Sequence, residues 1–260
     1  MRIFDSHCHL DDASYSKDLA QVIARARQAG VKAMMVVGID KDTSRRAIAI
    51  AQAHDGIHAS VGLHPHDARH CDEQVLTDLC RLADHPKVKA WGETGLDFNR
   101  MHSPRADQER CFTRQLEIGG QRDVPMIFHE RDSGGRFLQL LKPHWRARRS
   151  GVVHCFSGSD AELDSYLALG LYIGVTGILT VHSRGAQLRA MVGRIPADRL
   201  LVETDAPYLT PTPERNKHRR NEPAFVGTVL NKLADVLGQP VEELAEITWA
   251  NTCRLFDIDA

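Results

Sequence analysis

Residues 1–12 read MRIFDSHCHLDD and place two histidines directly behind a short apolar run. The run around Ile3 and Phe4 predicts a buried strand, and His7 and His9 follow it one residue apart. Side chains at positions i and i+2 of a strand point to the same face. The two imidazoles can therefore converge on one atom while Cys8 points away. This geometry suits a metal ion, but paired histidines also occur by chance, so the rest of the chain must separate the two interpretations.

The pattern of a short apolar run followed by polar residues recurs along the chain. Eight such runs, rich in Val and Ile, predict strands buried on both faces of a parallel sheet. Longer amphipathic segments between them predict helices. This alternation over 260 residues is typical of one α/β domain, a TIM-type (β/α)8 barrel spanning residues 1–260. The predicted strands are Arg2–His7, Val31–Val37, Ile57–Leu63, Val88–Glu93, Val124–His129, Gly151–Cys155, Leu171–Val175 and Leu200–Thr204.

The predicted helices carry the usual signals at their boundaries. In Ser16–Ala29 the apolar residues share one face, and Gly30 follows the helix as a C-terminal cap. Pro104 suits the first turn of a later helix. A doubly wound sheet is the alternative to the barrel, but the sequence lacks both the G-x-G-x-x-G and the G-x-x-x-x-G-K-[ST] nucleotide fingerprints. The other predicted helices are Thr43–His54, Glu73–Asp84, Pro104–Gly120, Ser133–Lys142, Ala161–Leu169, Gly185–Gly193, Pro223–Leu237 and Val241–Phe256.

The composition excludes some classes of partner. With 33 Lys and Arg against 34 Asp and Glu, the net charge is −1, so any surface that attracts nucleic acid must be local. No apolar run reaches the roughly 20 residues that cross a bilayer, so we expect no membrane partner. The six cysteines are scattered and the N-terminus lacks a secretory apolar segment, which predicts a cytoplasmic protein with free thiols. No exposed apolar stripe stands out, and we expect a monomer.

Functional side chains of such a barrel lie at the C-terminal ends of its strands. Nearly every predicted strand here ends in a histidine or a carboxylate. One such histidine taken alone is as often a hydrogen-bonded core residue as a ligand, but chance does not explain five or six at the same end of successive strands. The strand-end residues are His7, His9, His64, His66, Glu93, Asp97, His129, Arg131, His154, Glu203 and Asp205.

Imidazoles and carboxylates without cysteine fit Zn, Mn, Mg, Fe or Co and argue against a closed structural zinc site. A catalytic ion uses about three protein ligands, so six candidates suit two ions ~3.5–4 Å apart that share a carboxylate. Glu93 is the natural bridge because it enters from the middle of the strand order. The predicted half-sites are His7, His9 and Asp205 on one side of Glu93, and His129 and His154 on the other.

Seven ordered motifs, SHCHLD, GLHPH, GETGLDF, FHERD, HCFSG, ETDAPYL and RRNEP, resemble the TatD family of metal-dependent deoxyribonucleases among the amidohydrolase-like barrels. The resemblance extends from Ile3 to Phe256. It implies a TIM-type barrel, two divalent ions (Mg, Mn or Zn) and hydrolysis of phosphodiester bonds. Single-stranded DNA as the substrate and the 3′→5′ exonuclease polarity follow from the resemblance. It further implies that His7, His9, Glu93 and Asp205 ligate one metal, and that Glu93, His129 and His154 ligate the other.

The expected chemistry assigns catalytic roles to Glu93 and Asp205. Two cations lower the pKa of a water between them towards neutrality. Asp205 can take the proton of this water as a general base, or it can act as a ligand alone. Glu203 precedes Asp205 by two residues and is predicted to orient a ligand imidazole. The alternative for Glu203 is an ion pair at the barrel mouth.

Substrate contacts are expected from loops at the same end of the barrel. Arg131 could hold a phosphate with two hydrogen bonds, or pair with a ligand carboxylate. His64 could donate to a phosphate, ligate a third metal, or stabilise the His-Pro turn. Arg220 and Asn221 in RRNEP could bind substrate or anchor the loop, and the preceding basic cluster, Arg215 to Arg220, suits phosphate contact.

Aromatic and basic residues elsewhere near the strand ends are less specific signals. Tyr208 and Phe156 could stack on a base, although rim packing is the commoner role for such rings. Arg146, Arg148 and Arg149 precede the sixth strand, at the opposite end of the barrel, and are predicted to be a solvated surface.

Two other functions stay open at this point. One is an amidohydrolase-type reaction on a small amide, lactone or D-aminoacyl ester at the same dinuclear site. A lysine at the end of the fourth strand would have favoured some of those reactions, and Glu93 stands there instead. The other is a non-catalytic barrel that binds metal or nucleic acid, whose sign would be missing ligands, and none is missing.

Overall fold

The structure is a computed structural model that describes residues 1–146 and 149–259. Within these residues, eight parallel strands follow one another around a nearly closed barrel, in the order of the chain. This confirms the predicted (β/α)8 architecture. Arg148 lies outside the described residues. The strands are β1 (Ile3–Cys8), β2 (Val31–Val37), β3 (Ile57–Val61), β4 (Val88–Asp97), β5 (Met126–Arg131), β6 (Gly151–Val153), β7 (Tyr172–Val175) and β8 (Leu200–Val202).

Helices follow the strands, with boundaries that differ from the predicted ones by a few residues. The first helix begins at Leu19, three residues later than predicted, with Asp18 as its N-cap; a separate 3-10 turn, Ala13–Tyr15, precedes it. Pro104 is not in the first turn as predicted: its ψ of 147° is extended, so it precedes the helix as the N-cap. The α-helices are α1 (Leu19–Gln28), α2 (Lys41–Ala53), α3 (Glu73–Leu82), α4 (Arg105–Arg122), α5 (Arg136–His144), α6 (Asp160–Ala168), α7 (Ala186–Met191), α8 (Val226–Leu237) and α9 (Val241–Phe256).

The apolar core has two parts that alternate along the strands. On β2, Met34 and Val36 join a cluster that includes helix side chains such as Leu79, so this cluster lies between strands and helices. Met35 and Val37 join the second cluster, which fills the inside of the barrel. Side chains of α9 belong to this second cluster too. The barrel interior is therefore packed with apolar side chains. No helix in the described part of the chain is both long and apolar enough to span a membrane.

The barrel is closed by the segment that follows β8. Cys8 at the end of β1 pairs with Ala206, and the backbone N–H of His9 donates to Ala206 O at 2.7 Å. The backbone N–H of Asp205 donates to His7 O at 2.9 Å. These contacts join residues nearly 200 positions apart. They bring the carboxylate after β8 beside the two histidines of β1.

A buried carboxylate strengthens the same junction. Asp5 is fully buried and accepts hydrogen bonds from the backbone N–H of Thr204 at 2.9 Å and from its hydroxyl at 2.6 Å. Burial raises the pKa of Asp5 to about 8. The carboxyl group thus connects β1 to the turn that carries Asp205.

Two glycines allow β4 and β5 to approach closely beside the site. Gly92 and Gly95 have φ values of +138° and +149°, which favour glycine. A Cβ would lie 2.3 Å from Ile127 O at Gly92, and 1.9 Å from His129 O at Gly95. Glycine at both positions therefore lets Glu93 lie against the strand that carries His129.

Candidate metal centre

His7 on β1 and His9, which directly follows this strand, converge as their spacing predicts. His7 Nε2 lies 3.2 Å from His9 Nε2. Glu93 on β4 faces both rings with one oxygen: its Oε2 is 3.4 Å from His7 Nε2 and 3.9 Å from His9 Nε2. These residues are buried. Three ligand atoms from two strands thus surround one point.

The other oxygen of Glu93 faces a different pair of imidazoles. Oε1 lies 2.8 Å from His129 Nδ1 on β5 and 3.0 Å from His154 Nε2, which follows β6. One buried carboxylate therefore contacts two groups of histidines, each through its own oxygen. This is the arrangement expected of a carboxylate that bridges two ions.

Asp205 completes the side of the site formed by β1. Its Oδ1 lies 3.4 Å from His9 Nε2 and 3.7 Å from His7 Nε2. The backbone of Asp205 is left-handed, with φ +56°, a conformation that Asp adopts more readily than most residues. The turn after β8 therefore aims the carboxylate at the histidines of β1.

The electrostatics of the cluster attract positive charge. Burial alone would raise the pKa of Glu93, but the imidazoles around it, above all His154, hold that pKa well below its usual value. Burial alone would lower the pKa of His9, but its hydrogen bond to Asp205 raises that pKa to about 9. The ionised carboxylates thus draw protons onto the neighbouring imidazoles. A divalent cation can take the place of those protons, because metal binding to such ligands releases them.

The donor set fits a divalent metal ion. Three groups of side chains each have ligand atoms within 4.8 Å of one another. All donors are imidazole nitrogens and carboxylate oxygens, the ligands of catalytic zinc and, for the carboxylates, of manganese and magnesium. The groups are His7, His9 and Glu93; His7, His154 and Asp205; and His64, Glu93 and His129.

Residues behind the imidazoles hold them in place. His9 Nδ1 lies 3.0 Å from Val37 O, so Nδ1 donates to this carbonyl and Nε2 faces the cluster, where a cation can replace its proton. Glu203 Oε1 lies 3.3 Å from His154 Nδ1 and accepts the backbone N–H of Cys155. Glu203 is fully buried, at the place from which it can orient His154.

His64 points a hydrogen-bond donor at the cluster. Its Nδ1 accepts the backbone N–H of His66 at 3.1 Å, so in the neutral ring the proton lies on Nε2. Burial lowers the pKa of His64 to about 4, which keeps the ring neutral at pH 7. Its Nε2 is 3.4 Å from Glu93 Oε1. With this tautomer the Nε2 lone pair is not available to a metal, which argues against the third-metal role for His64.

Asp97 and His66, which the sequence analysis named as strand-end residues without a specific role, belong to the site. Asp97 Oδ2 lies 2.9 Å from His66 Nε2 and 3.3 Å from His129 Nε2. The sequence does contain a signal for Asp97. It follows Glu93 by four residues, an even separation that places both side chains on one face if the strand continues. The predicted strand ended at Glu93, whereas β4 runs to Asp97.

Some of the predicted substrate-binding residues line the pocket above the cluster and others do not. Arg131 lines the pocket above the cluster, a cavity of about 440 Å³. Among the described residues it makes no ion pair with a ligand carboxylate or with any other residue, so the structure gives that alternative no support. Phe156 is only 3% exposed and packs against Tyr166, so it cannot stack on a substrate base. Tyr208 is 53% exposed and lines the pocket.

Arg220 and Asn221 are not among the residues that line the pocket. The Arg220 guanidinium donates to Asp18 at 2.7 Å and to Glu222 at 3.0 Å. The buried Asn221 side chain donates to Thr204 O at 2.9 Å and to Tyr208 O at 2.6 Å. The two roles predicted for this pair were substrate binding and loop anchoring. Their contacts are those of loop anchoring.

Comparison with known proteins agrees with this site. A family model described as TatD related DNase matches residues 4–257. A protein named 3'-5' ssDNA/RNA exonuclease TatD, from Rahnella sp. (strain Y9602), is 44% identical over 261 aligned positions, covering 99% of this chain and 99% of that protein. The protein of the same name from Pectobacterium carotovorum subsp. carotovorum (strain PC1) is 41% identical, covering 98% and 99% of the two chains.

Solved structures show the same relationship. YJJV, a TatD homologue from Escherichia coli K12, superposes with a TM-score of 0.91 at 31% identity, covering 99% of both chains. A hydrolase TatD family protein from Entamoeba histolytica superposes with a TM-score of 0.89 at 25% identity, covering 98% of both. Since the family model and these relatives match over almost the whole length, this chain belongs to the family of TatD-related DNases, as its motifs predicted.

Proposed function

We propose that this protein is a divalent-metal-dependent 3′→5′ exonuclease that hydrolyses phosphodiester bonds of single-stranded DNA. The observation that carries the proposal is Glu93, whose two oxygens face two separate groups of imidazoles at the floor of one pocket. The names of the relatives, which specify a 3'-5' ssDNA/RNA exonuclease, support the polarity and the substrate class. RNA is the second substrate to be tested, because those names include it.

The proposed cofactor is a pair of divalent ions, Mg, Mn or Zn. When bound, they supply Lewis acidity that lowers the pKa of an attacking water. We assign Glu93 to both ions. The remaining proposed ligands are His7, His9 and Asp205 for one ion and His129 and His154 for the other, and the distances between their ligand atoms support this assignment.

Three side chains of the pocket are placed to act on a phosphodiester. Asp205 is held ionised, because His9 lowers its pKa against the opposing effect of burial, and it can accept the proton of the attacking water. His64 offers its Nε2–H to a non-bridging phosphate oxygen. Arg131, which lacks a carboxylate partner among the described residues, can hold the phosphate with two hydrogen bonds.

Two carboxylates act as positioning residues in this proposal. Glu203 orients His154 through Nδ1, and Asp97 orients His129 through Nε2. Such contacts fix the rotamer and the tautomer of a ligand imidazole. Neither residue touches the substrate.

The pocket favours a phosphodiester over a small amide or lactone. Arg100, Arg131 and Arg184 line it, and none makes an ion pair with a residue in the described part of the chain. A neutral amide or ester offers no anion to three unpaired guanidinium groups. A phosphodiester carries a negative charge that these groups can bind. Hydrolysis of small esters therefore ranks second, and a non-catalytic barrel third.

The test of the function uses single-stranded DNA labelled at its 5′ end. We expect stepwise shortening from the 3′ end, complete loss of cleavage when metal is removed by chelation, and recovery when Mg, Mn or Zn is added back. The products are resolved on a denaturing gel, and a strand labelled at its 3′ end distinguishes exonuclease from internal cleavage. If the reloaded protein cuts neither DNA nor RNA but hydrolyses small esters or amides, the second function replaces the first.

Replacement of Arg220 separates its two predicted roles. Arg220 also stacks its guanidinium 4.7 Å from the Tyr15 ring centre, so Arg220→Ala removes loop anchors. We expect the melting temperature to fall by about 2–5 °C, while KM for the oligonucleotide changes by less than about twofold. The melting temperature of Arg220→Lys should lie between those of the wild type and Arg220→Ala, because lysine keeps the charge but cannot form the paired hydrogen bonds. A raised KM at an unchanged melting temperature would instead place Arg220 on the substrate.

Three expectations stay predictions: a cytoplasmic location, a monomeric state, and one catalytic domain over residues 1–260. The match of the family model to residues 4–257 supports the last of them. Gel filtration with light scattering tests the second, and a dimer would contradict it.

A further inference from the structure

A second cavity, of about 520 Å³, adjoins the pocket of the metal centre. Its wall shares side chains with that pocket, so the two form one continuous depression. From the shared wall, the second cavity extends along the segment between β8 and α8. The shared residues are Arg100, Ile178, Arg184, Tyr208 and Leu209, and the extension adds Arg215, His218 and Arg219.

The wall of this second cavity is positively charged. The described residues contribute four arginines to it, Arg100, Arg184, Arg215 and Arg219, and no carboxylate. The whole chain carries a net charge of only −1, so this concentration is local and does not reflect a basic protein. The field along the depression therefore favours an anion whose charge is distributed along its length.

The four arginines also lack partners within the structure. None of them makes an ion pair with a residue in the described ranges. Arg220, the next residue after Arg219, shows the contrast, because Asp18 and Glu222 bind its guanidinium. Unpaired guanidinium groups keep all their donors free for phosphate oxygens.

An exposed aromatic ring lies where the two cavities meet. Tyr208 is 53% exposed, and its ring centre is 6.0 Å from that of His9. Single-strand binding proteins combine basic grooves with rings on which bases stack. The depression has both features: Tyr208 and Arg184 lie in the wall that the two cavities share, and Arg215 and Arg219 line the extension.

We propose that this depression binds the part of a single-stranded nucleic acid that lies 5′ to the scissile phosphate. Tyr208 stacks on a base next to the cleavage point, and Arg184, Arg215 and Arg219 bind successive backbone phosphates. The inference rests on the proposed exonuclease function: removal of the 3′ nucleotide leaves the 5′ strand attached, and this strand needs a path out of the site. The leaving nucleotide needs only the pocket of the metal centre, whose wall includes His64 and His102.

The test compares a long substrate with one that has no 5′ strand. The long substrate is a thymidylate strand of about 20 nucleotides; the short one is the p-nitrophenyl ester of thymidine 5′-monophosphate, in which p-nitrophenol replaces the retained strand. We expect the double variant R215A/R219A to raise KM for the strand about tenfold or more, since two phosphate contacts are lost. Hydrolysis of the ester should stay within about twofold of the wild type, because neither arginine reaches the metal centre.

Binding is measured separately from cleavage. Fluorescence anisotropy uses the metal-loaded protein and the same strand with phosphorothioate linkages at its 3′ end, which resist hydrolysis. The slope of log Kd against log salt should become shallower by about 1.4 in the double variant, at ~0.7 for each lost phosphate contact. The matched control, R45A/R81A, removes two arginines from α2 and α3 that do not line either cavity, and it should behave as the wild type.

The outcomes separate this inference from the proposed function. If the wild-type protein binds the strand, loses affinity in R215A/R219A, and yet cleaves neither substrate, the groove is correct and the nuclease function is wrong. If R215A/R219A binds and cleaves the strand like the wild type, the groove is wrong. Equal losses on strand and ester, or a wild-type protein that does not bind the strand, overturn it as well.

Discussion

Glu93→Gln is expected to abolish turnover, lowering kcat/KM on single-stranded DNA by about 10⁴-fold or more. The reason is that one side chain contacts both groups of imidazoles, through Oε2 on one side and Oε1 on the other. Glutamine has the same shape but no charge, and its amide nitrogen cannot coordinate a cation. The amide oxygen can face only one of the two groups, so one proposed ion loses its ligand from this side chain and both lose the shared negative charge. Steady-state kinetics measure the loss of turnover, and the metal content per chain measures the loss of bound ions.

The matched control for this variant is Glu109→Gln. Glu109 lies on α4, pairs with Arg136, and does not line the pocket, so it should keep its activity and its metal content. Circular dichroism checks that Glu93→Gln is folded. A folded Glu93→Gln protein that retains activity within about tenfold and binds the full amount of metal would show that Glu93 is not a bridge.

Asp205→Asn is expected to lower kcat by about 10³-fold with a small change in KM. Asparagine tolerates the left-handed backbone at this position, where φ is +56°, so the turn after β8 should be preserved. The substitution removes the carboxylate 3.4 Å from His9 that can accept the proton of the attacking water. The proposed ion at Glu93, His129 and His154 keeps its ligands, so part of the metal content should remain.

Asp132→Asn is the matched control, because Asp132 has the same left-handed backbone, with φ +55°, at the end of β5. Its carboxylate bonds to Asn99 and does not line the pocket. We expect near wild-type kinetics from it. If Asp205→Asn raises KM and leaves kcat intact, Asp205 is a binding residue and the base must be sought elsewhere.

Much of the site can be predicted from the order of apolar runs and polar ends. The eight strands lie where short runs of Val and Ile predicted them, and each ends at the same edge because the strands are parallel. His7 and His9 converge because strand geometry alone aligns positions i and i+2. Fold and cluster were therefore encoded in local periodicity.

Other features depended on contacts that local periodicity does not encode. Arg131 and Arg220 illustrate this, because Arg131 ends β5, Arg220 lies in the segment after β8, and both carry the same charge. Arg131 is without a carboxylate partner among the described residues, whereas Arg220 meets Asp18, which lies about 200 residues earlier in the chain. Phe156 likewise follows a strand end, yet Tyr166 on α6 covers it.

By itself, the sequence determined the barrel and the common edge at which the proposed metal ligands lie, because each depends on spacing within a single strand or helix. The tertiary structure alone decided how Glu93 divides its oxygens, which nitrogen of His64 carries the proton, and that Arg184 and Arg215 share one depression. Those features arise where loops from different strands meet after the barrel closes. Closure depends on packing between segments far apart in the chain, and no local pattern records which of their side chains will touch.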